Sequence, residues 1–457
     1  MITNIIKSRW SAILDHASLT GFLILFVGWR IASVAMVYIL RPKNIKIEGK
    51  TLLVGKWLSE LHFTFRGADS IVEISKKMGR KIFAIPAFSC YQVLVSTQMQ
   101  MMEFAAATED VMSFRAAMNE RLFFQYTMLG FELNHIDPHD AIPRRVAKVH
   151  IRENLHALGP ILNQRVDEVF QRLERGSQTQ DGTIRVSAFD ISKSLIARMN
   201  NQLLFGDELG SSDEFEKECI RYAWHTVILM QILRQLPSIA VPLVATLFRL
   251  WSGSMDRIGK RVTKVVSERL ENHAQGNEKN YADGIEWVIA SSTTPSHLAP
   301  KRIVQQMVAL LFASMHQMQM ATTWAIIELS THKEFIEPLQ NEIRSVFASG
   351  TKNPYDKLYL MDSFLRESSR LNPLDGLTVQ RKALKPFTFS DGSHIPAGNL
   401  VSIPQRVVMQ DPESYPEPHI FNPFRFMQTS ADEDTPTTKY ADVNWKYTFW
   451  GSPRKSW

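Results

Sequence analysis

From Ser96 to about Gly350 the chain repeats apolar residues at helical spacing, with breaks at His139–Pro143, Arg175–Thr183, Gly206–Ser212, Pro237, Gln275–Asn280 and Thr293–Pro300. Several of these predicted helices are long, which points to a large α-rich body. Its last run, Lys301–Thr331, carries the apolar stretch Met307–Phe312 and predicts one long buried helix. After Pro373 the period changes. Leu377–Arg381, Phe387–Ser390 and Val401–Pro404 read as short strands, with Asp391-Gly392 and Ala397-Gly398 as turns between them. Beyond Arg406 the chain is rich in Pro and aromatics without a period. The expected class is therefore mainly α with a small β region.

The N-terminal part is organised differently. Leu19–Leu40 is apolar apart from Arg30, and as a helix it would be about 33 Å long, enough for a bilayer core of ~30 Å. Arg30 near its centre would cost roughly 2.5–3.5 kcal/mol on insertion. Arg41, Lys43, Lys46 and Lys50 follow it, whereas Lys7 and Arg9 precede it. This bias favours a signal anchor, with the C-terminal side in the cytosol and residues 1–18 in the lumen. The competing reading is a buried core helix. Residues 41–65 are then expected to be a linker and 66–457 the catalytic domain. Within that domain Arg66–Gly79 predicts a helix ending at a glycine. Two strand-like runs follow, Lys81–Phe88 and Tyr91–Val95, and Pro86 confines the first to an edge or irregular strand.

Composition excludes several functions. The chain has 457 residues, 45% hydrophobic and 21% charged, which is globular and long enough for one large domain or two or three smaller ones. The net charge of +6 is scattered among acids, so it points to anionic surfaces in general and not to nucleic acid. Cys90 and Cys219 are the only cysteines, which excludes a disulfide framework and a thiol metal cluster. No Asn-x-Ser/Thr sequon occurs. Both facts suit a reducing, cytosolic compartment.

The chemistry is concentrated in three blocks. Glu367 and Arg370 lie in Phe364–Pro373 and share one helical face, an arrangement that alone usually marks a solvated surface pair. Asp411–Pro418 and Phe421–Phe426, with Arg425, come next; Phe449-Trp450-Gly451-Ser452 comes last. In this order, behind a long apolar helix, these blocks resemble the C-terminal half of cytochromes P-450, most closely fungal microsomal members of terpenoid biosynthesis. The resemblance implies a cytochrome P-450 fold and haem b as cofactor. It also implies electrons from a membrane-bound NADPH-cytochrome reductase, and insertion of one oxygen atom into an apolar small molecule. It implies that Glu367, Arg370 and Arg425 form a buried ionic triad, in which one carboxylate takes two guanidinium groups and ties a loop to a helix.

On the long helix, the family's small pair, acid and threonine correspond to Ala313-Ser314-Met315-His316-Gln317. His316 and Gln317 thus stand where the family delivers protons to bound dioxygen, with Thr322 and Thr323 further on. His316 could alternatively ligate iron or simply face a cavity water. Arg381, Lys148 and Arg152 are the basic residues at the positions where the family meets the haem propionates; each could equally be a solvated charge.

The family's haem loop runs Phe-x-x-Gly-x-x-x-Cys-x-Gly, and fungal members usually read Trp-Gly-Ser-Gly-Arg-His-Ala-Cys. Here Phe449, Gly451 and Arg454 match, but Pro453 replaces glycine, Lys455 replaces histidine and Trp457 occupies the cysteine position. Tryptophan has no lone pair for a metal, and the thiolate is what favours O–O cleavage. The expected metal-ligand set is therefore empty, and the chain reads as a family member incomplete in its haem loop and inactive as written. Two alternatives stay open. A different C-terminus would restore an active monooxygenase. Otherwise the helical body serves as a non-catalytic membrane-bound binding protein. The expected place is the endoplasmic reticulum membrane, single-pass, with the catalytic domain cytosolic.

Overall fold

The computed structural model describes residues 16–50, 53–87, 90–132, 142–176, 185–277, 281–427 and 439–453. The chain forms two compact units. One comprises Met1–Met118, Gln235–Val241 and Asp375–Val408; the other comprises Asn119–Arg234, Pro242–Leu374 and Met409–Trp457.

The first unit holds the sheet. Its six strands run in the order β1-β2-β3-β8-β5-β4: β1 Lys46–Ile47, β2 Phe83–Pro86, β3 Tyr91–Leu94, β4 Met112–Ser113, β5 Leu377–Ala383 and β8 Leu400–Pro404. A separate hairpin pairs β6 (Phe387–Thr388) with β7 (His394–Ile395) through a turn in which Gly392 has φ +81°. Of the two alternatives for this run the edge position is not observed, since β2 pairs with β1 on one side and β3 on the other. Pro86 is tolerated because two-residue β1 reaches only Phe83 and Ala84, so no partner asks for the N–H that Pro86 lacks. The β2 and β3 side chains Phe83, Ile85 and Leu94 form a core with Ile71. Ile71 lies on helix α2 (Leu53–Lys77), which bends where Arg66 leaves helical geometry. The expected helix from Arg66 is thus the second half of a longer one. Residues 41–65 are not a bare linker, because they carry β1 and the first half of α2.

Helix α1 (His16–Ile39) forms where the apolar N-terminal segment predicts it. Among the described residues, however, no helix is long and apolar enough to cross a membrane. The expected membrane anchor is therefore unsupported. The Arg30 guanidinium lies 5.4 Å from the Trp29 ring centre. The expected lumenal segment lies mostly outside the described residues.

The second unit is helical. Its principal helices are α3 (Ile151–Gly176), α4 (Ala188–Gly210), α5 (Asp213–Leu233), α6 (Val241–Ser252), α7 (Ser254–Ala274), α8 (Gly284–Ala290), α9 (Pro300–Thr331), α10 (Ile336–Ala348) and α11 (Tyr359–Leu371). Helix α9 is the expected long helix, with Pro300 at its first position, where a missing N–H costs nothing. Ile303, Val304, Met307, Val308, Leu311 and Met315 recur at three- and four-residue steps and are buried, which places α9 against α4, α5, α7 and α8. Helix α4 kinks at Gly206 (φ 66°, ψ −166°), a backbone conformation essentially confined to glycine. A Cβ there would collide with the Asp283 carboxylate. Asp283 in turn grips the buried Arg269 guanidinium with two bonds of 2.7 Å, joining α7 to the start of α8.

Candidate functional site

Helix α11 places Glu367 and Arg370 one turn apart on its buried face, both with no solvent exposure. Arg370 donates from Nε to Glu367 Oε2 (2.7 Å) and from Nη2 to Oε1 (2.8 Å). Arg425 donates from Nε to the same Oε1 at 3.0 Å, and the Asn422 N–H adds a bond of 3.1 Å. One carboxylate therefore organises two guanidinium groups and one backbone amide. The remaining donors reach the loop. Arg370 Nη1 bonds the carbonyls of Met409 (3.1 Å) and Pro418 (2.6 Å). Arg425 bonds those of Pro416 (2.7 Å), Ile420 (3.2 Å) and Glu417 (3.3 Å). Segment 409–425 has little regular structure of its own, and these charged forks supply the partners its carbonyls need. Tyr415 lies beneath Arg370, 5.0 Å from ring centre to guanidinium, and burial pushes its phenol up to about 12.

A third arginine, which sequence reasoning missed, extends this arrangement. Arg366 is fully buried, and among the described residues it forms no ion pair with a carboxylate. Its Nη1 donates to the carbonyls of Lys439 and Asp442, both at 2.7 Å, and its guanidinium lies 3.8 Å from the Tyr447 ring centre and 4.9 Å from that of Phe426. Burial pulls its pKa down. Arg366 is four residues before Arg370, and that helical spacing was the one available signal. Tyr440 adds to the attachment, its N–H on Asp362 Oδ1 at 3.0 Å and its hydroxyl 2.9 Å from Ser369.

The loop that follows packs tightly. Phe449 is buried with Met409 and Tyr447, and Ala321 of α9, Phe426, Tyr440 and Trp450 close around them. Gly451 has φ +111° and its N–H bonds the Thr448 carbonyl at 3.1 Å, a turn that disfavours any side chain. Arg454 and Trp457 lie outside the described residues.

On α9, His316 turns toward α5. Its Nε2 donates to the Ala223 carbonyl at 3.0 Å, with the ring edge-on to Trp224 and Phe312. Burial holds its pKa below the usual value, while the Ala223 bond opposes this. The carbonyl can only accept, so Nε2 carries the proton and the ring ties two helices together. Gln317 is half-buried. The Ser314 hydroxyl turns back onto the Leu310 carbonyl (2.9 Å) and that of Thr323 onto the Gln319 carbonyl (2.8 Å).

The basic residues divide between the units. Lys148 sits in the π-turn Val146–His150, where burial and the nearby Arg144 pull its ammonium down; Arg152 is exposed in the first turn of α3. Arg381 belongs to β5 of the first unit. It is buried, bonds the Gln380 carbonyl at 2.8 Å and lies 4.7 Å from the Phe114 ring centre. Burial pulls it to about 10.

A family model for cytochrome P450 matches residues 60–441. The chain belongs to the cytochrome P450 family. It is 26% identical over 424 residues to the cytochrome P450 monooxygenase terQ of Tolypocladium album, covering 85% of this chain and 75% of that one. It is 25% identical to ltmQ of Epichloe festucae var. lolii (85% and 76% covered) and 24% identical to paxQ of Penicillium paxilli (93% and 86%), both cytochrome P450 monooxygenases. Among solved structures it resembles a retinoic acid-bound cyanobacterial CYP120A1, with TM-score 0.65, 17% identity and coverage of 86% and 84%; at this identity the likeness concerns the fold.

The family implies haem, and the donor chemistry of the P450 chain can be tested against it. Of the two thiols, Cys90 is buried beside β3, and Cys219 is fully buried within α5. Burial pushes the Cys219 thiol up, away from the thiolate that iron needs. Neither belongs to the Tyr447–Ser452 loop. Among the described residues no cluster of three His, Cys, Asp or Glu side chains could hold a metal. Gly451 makes a turn after Phe449, and among the described residues of this loop there is no cysteine, so these residues do not supply the thiolate of a haem-thiolate centre.

Proposed function

We propose that this chain is a fungal secondary-metabolism P450 scaffold whose 457 residues, as they stand, do not hold haem through a thiolate and are inactive as a monooxygenase. The observation that carries this is the sulfur inventory: Trp457 stands in the cysteine register, and both thiols are buried elsewhere. The ancestral substrate on this reading is an apolar terpenoid, such as an indole-diterpene intermediate, and the electron donor an NADPH-cytochrome reductase. The monooxygenase names of its fungal relatives support the reaction class. The reading includes a cytosolic-facing place at the endoplasmic reticulum membrane, in keeping with the absence of sequons and the two cysteines. A second reading, an active monooxygenase, follows if a different C-terminus brings a cysteine into the Gly451 loop. The test is to express the chain with added haem, reduce it and add carbon monoxide. The proposal expects no red-shifted Soret band of the thiolate kind, and such a band would overturn it.

A further inference from the structure

Helix α6 is amphipathic, yet its apolar stripe faces outward. Leu243, Leu247, Leu250 and Trp251 are 65%, 58%, 76% and 70% exposed, so most of its apolar surface does not hold it to the body. Its last turns meet the imidazole of His225, beside the Arg249–Asp256 pair and the Arg257 bond to the Ser252 carbonyl. His225 of α5 lies with its ring centre 5.1 Å from that of Trp251 and 6.0 Å from that of Phe248, and its Nδ1 is 2.5 Å from Ser252 Oγ. Ser252 Oγ is also 2.8 Å from Ser254 Oγ, across Gly253, whose φ of +59° makes the sharp entry to α7. Under the helix lies a cavity of about 20 Å³, room for about one water, with Tyr126, Tyr222 and Leu229 in its lining.

We propose that His225 is a proton-sensitive latch: neutral, it holds α6 closed over this cavity, and protonated, it lets the helix swing out on Gly253. The surrounding charges decide the sign. On α5, Arg221 bonds Glu218 Oε1 at 2.8 Å. On α7, Arg257 bonds Glu218 Oε2 at 2.9 Å and the Ser252 carbonyl at 3.1 Å. On α6, Arg249 is paired with Asp256 of α7. Tyr126 and Tyr222 are the remaining titratable groups lining the cavity. Glu218, the carboxylate that acts on His225, thus already serves two guanidinium groups.

Burial, with Arg221 and Arg257, holds the imidazole below its usual 6.5, and Glu218 alone opposes. The closed state therefore binds fewer protons than the open one. Latching is complete above the free-imidazole value of about 6.5 and weakens as pH falls below it. Opening uncovers Phe248 and enlarges an apolar cavity, so the device would admit an apolar ligand under acidic conditions.

Hydrogen–deuterium exchange on the full chain tests this, with rates corrected for intrinsic pH dependence. Between about pH 7.5 and pH 5.5, amides of 241–252 should lose roughly threefold to tenfold of their protection relative to those of α9. His225→Gln should remove that pH dependence. Arg221→Gln relieves one repulsion and should reduce it while leaving the histidine in place. An unchanged α6 in the wild-type chain across this range overturns the proposal, as does an equal response in His225→Gln. Should His225→Gln fail to fold, the wild-type and Arg221→Gln arms decide: an Arg221→Gln response as large as wild type counts against the latch.

Discussion

Glu367→Gln is nearly isosteric, so its effect isolates charge. In the wild type, Oε1 accepts from Arg370 Nη2, Arg425 Nε and the Asn422 amide, and Oε2 accepts from Arg370 Nε. A glutamine can keep its oxygen in the crowded Oε1 position, which leaves its NH₂ facing Arg370 Nε, donor against donor. One charge-assisted bond is lost, worth about 1.5–3 kcal/mol. The fully buried Arg370 also loses its counter-charge, and breaking a buried pair from one side costs about 3–5 kcal/mol in total. Urea unfolding followed by circular dichroism and tryptophan fluorescence measures this, provided the two probes agree. With a slope of about 3 kcal/mol/M, the midpoint should fall by roughly 1–1.7 M. Adding Arg370→Gln should then cost far less than it does alone, because the guanidinium it removes has already lost its partner. A Glu367→Gln midpoint within about 0.3 M of wild type, at unchanged slope, would refute the view that this carboxylate organises the loop.

Other changes test separate contacts. His316 is held below its usual 6.5, so its contribution to stability is complete above that value and is lost as pH falls toward the folded value. His316→Gln keeps a donor for the Ala223 carbonyl, and its thermal midpoint should fall less than wild type between about pH 7 and pH 5.5; parallel falls would contradict this. Gly206→Ala should destabilise by about 2–4 kcal/mol, read by the same urea titration, since φ +66° is strained for alanine and the new Cβ displaces Asp283 from Arg269. Arg366→Met removes the bonds to the Lys439 and Asp442 carbonyls while keeping bulk. Limited proteolysis should then cut faster between residues 439 and 447 than in α9, and equal rates would show that Arg366 does not position the loop.

What could be read in advance was what local spacing encodes. The period of Lys301–Thr331 and the proline at its start were enough for α9, and the three-residue step from Glu367 to Arg370 placed both on one face of α11. Contacts that depend on distant chain segments left no such trace. The sheet joins Lys46 to Phe83 and Val93 to Val401, so the internal position of β2 follows from strand order and not from Pro86. His316 looked like a residue facing a reaction centre because its neighbour α5, and the Ala223 carbonyl on it, cannot be inferred from α9 alone. Arg366 was passed over because a lone arginine on a helix is usually solvated, and its two carbonyl partners lie more than seventy residues away. That last contact bears on the loop Tyr447–Ser452. Tyr447 is held by Arg366, Phe449 by Met409 and Ala321, and the turn by Gly451, none of which is a cysteine. The shape of this loop is therefore set by buried charge and aromatic packing contributed from α9, α11 and segment 409–426.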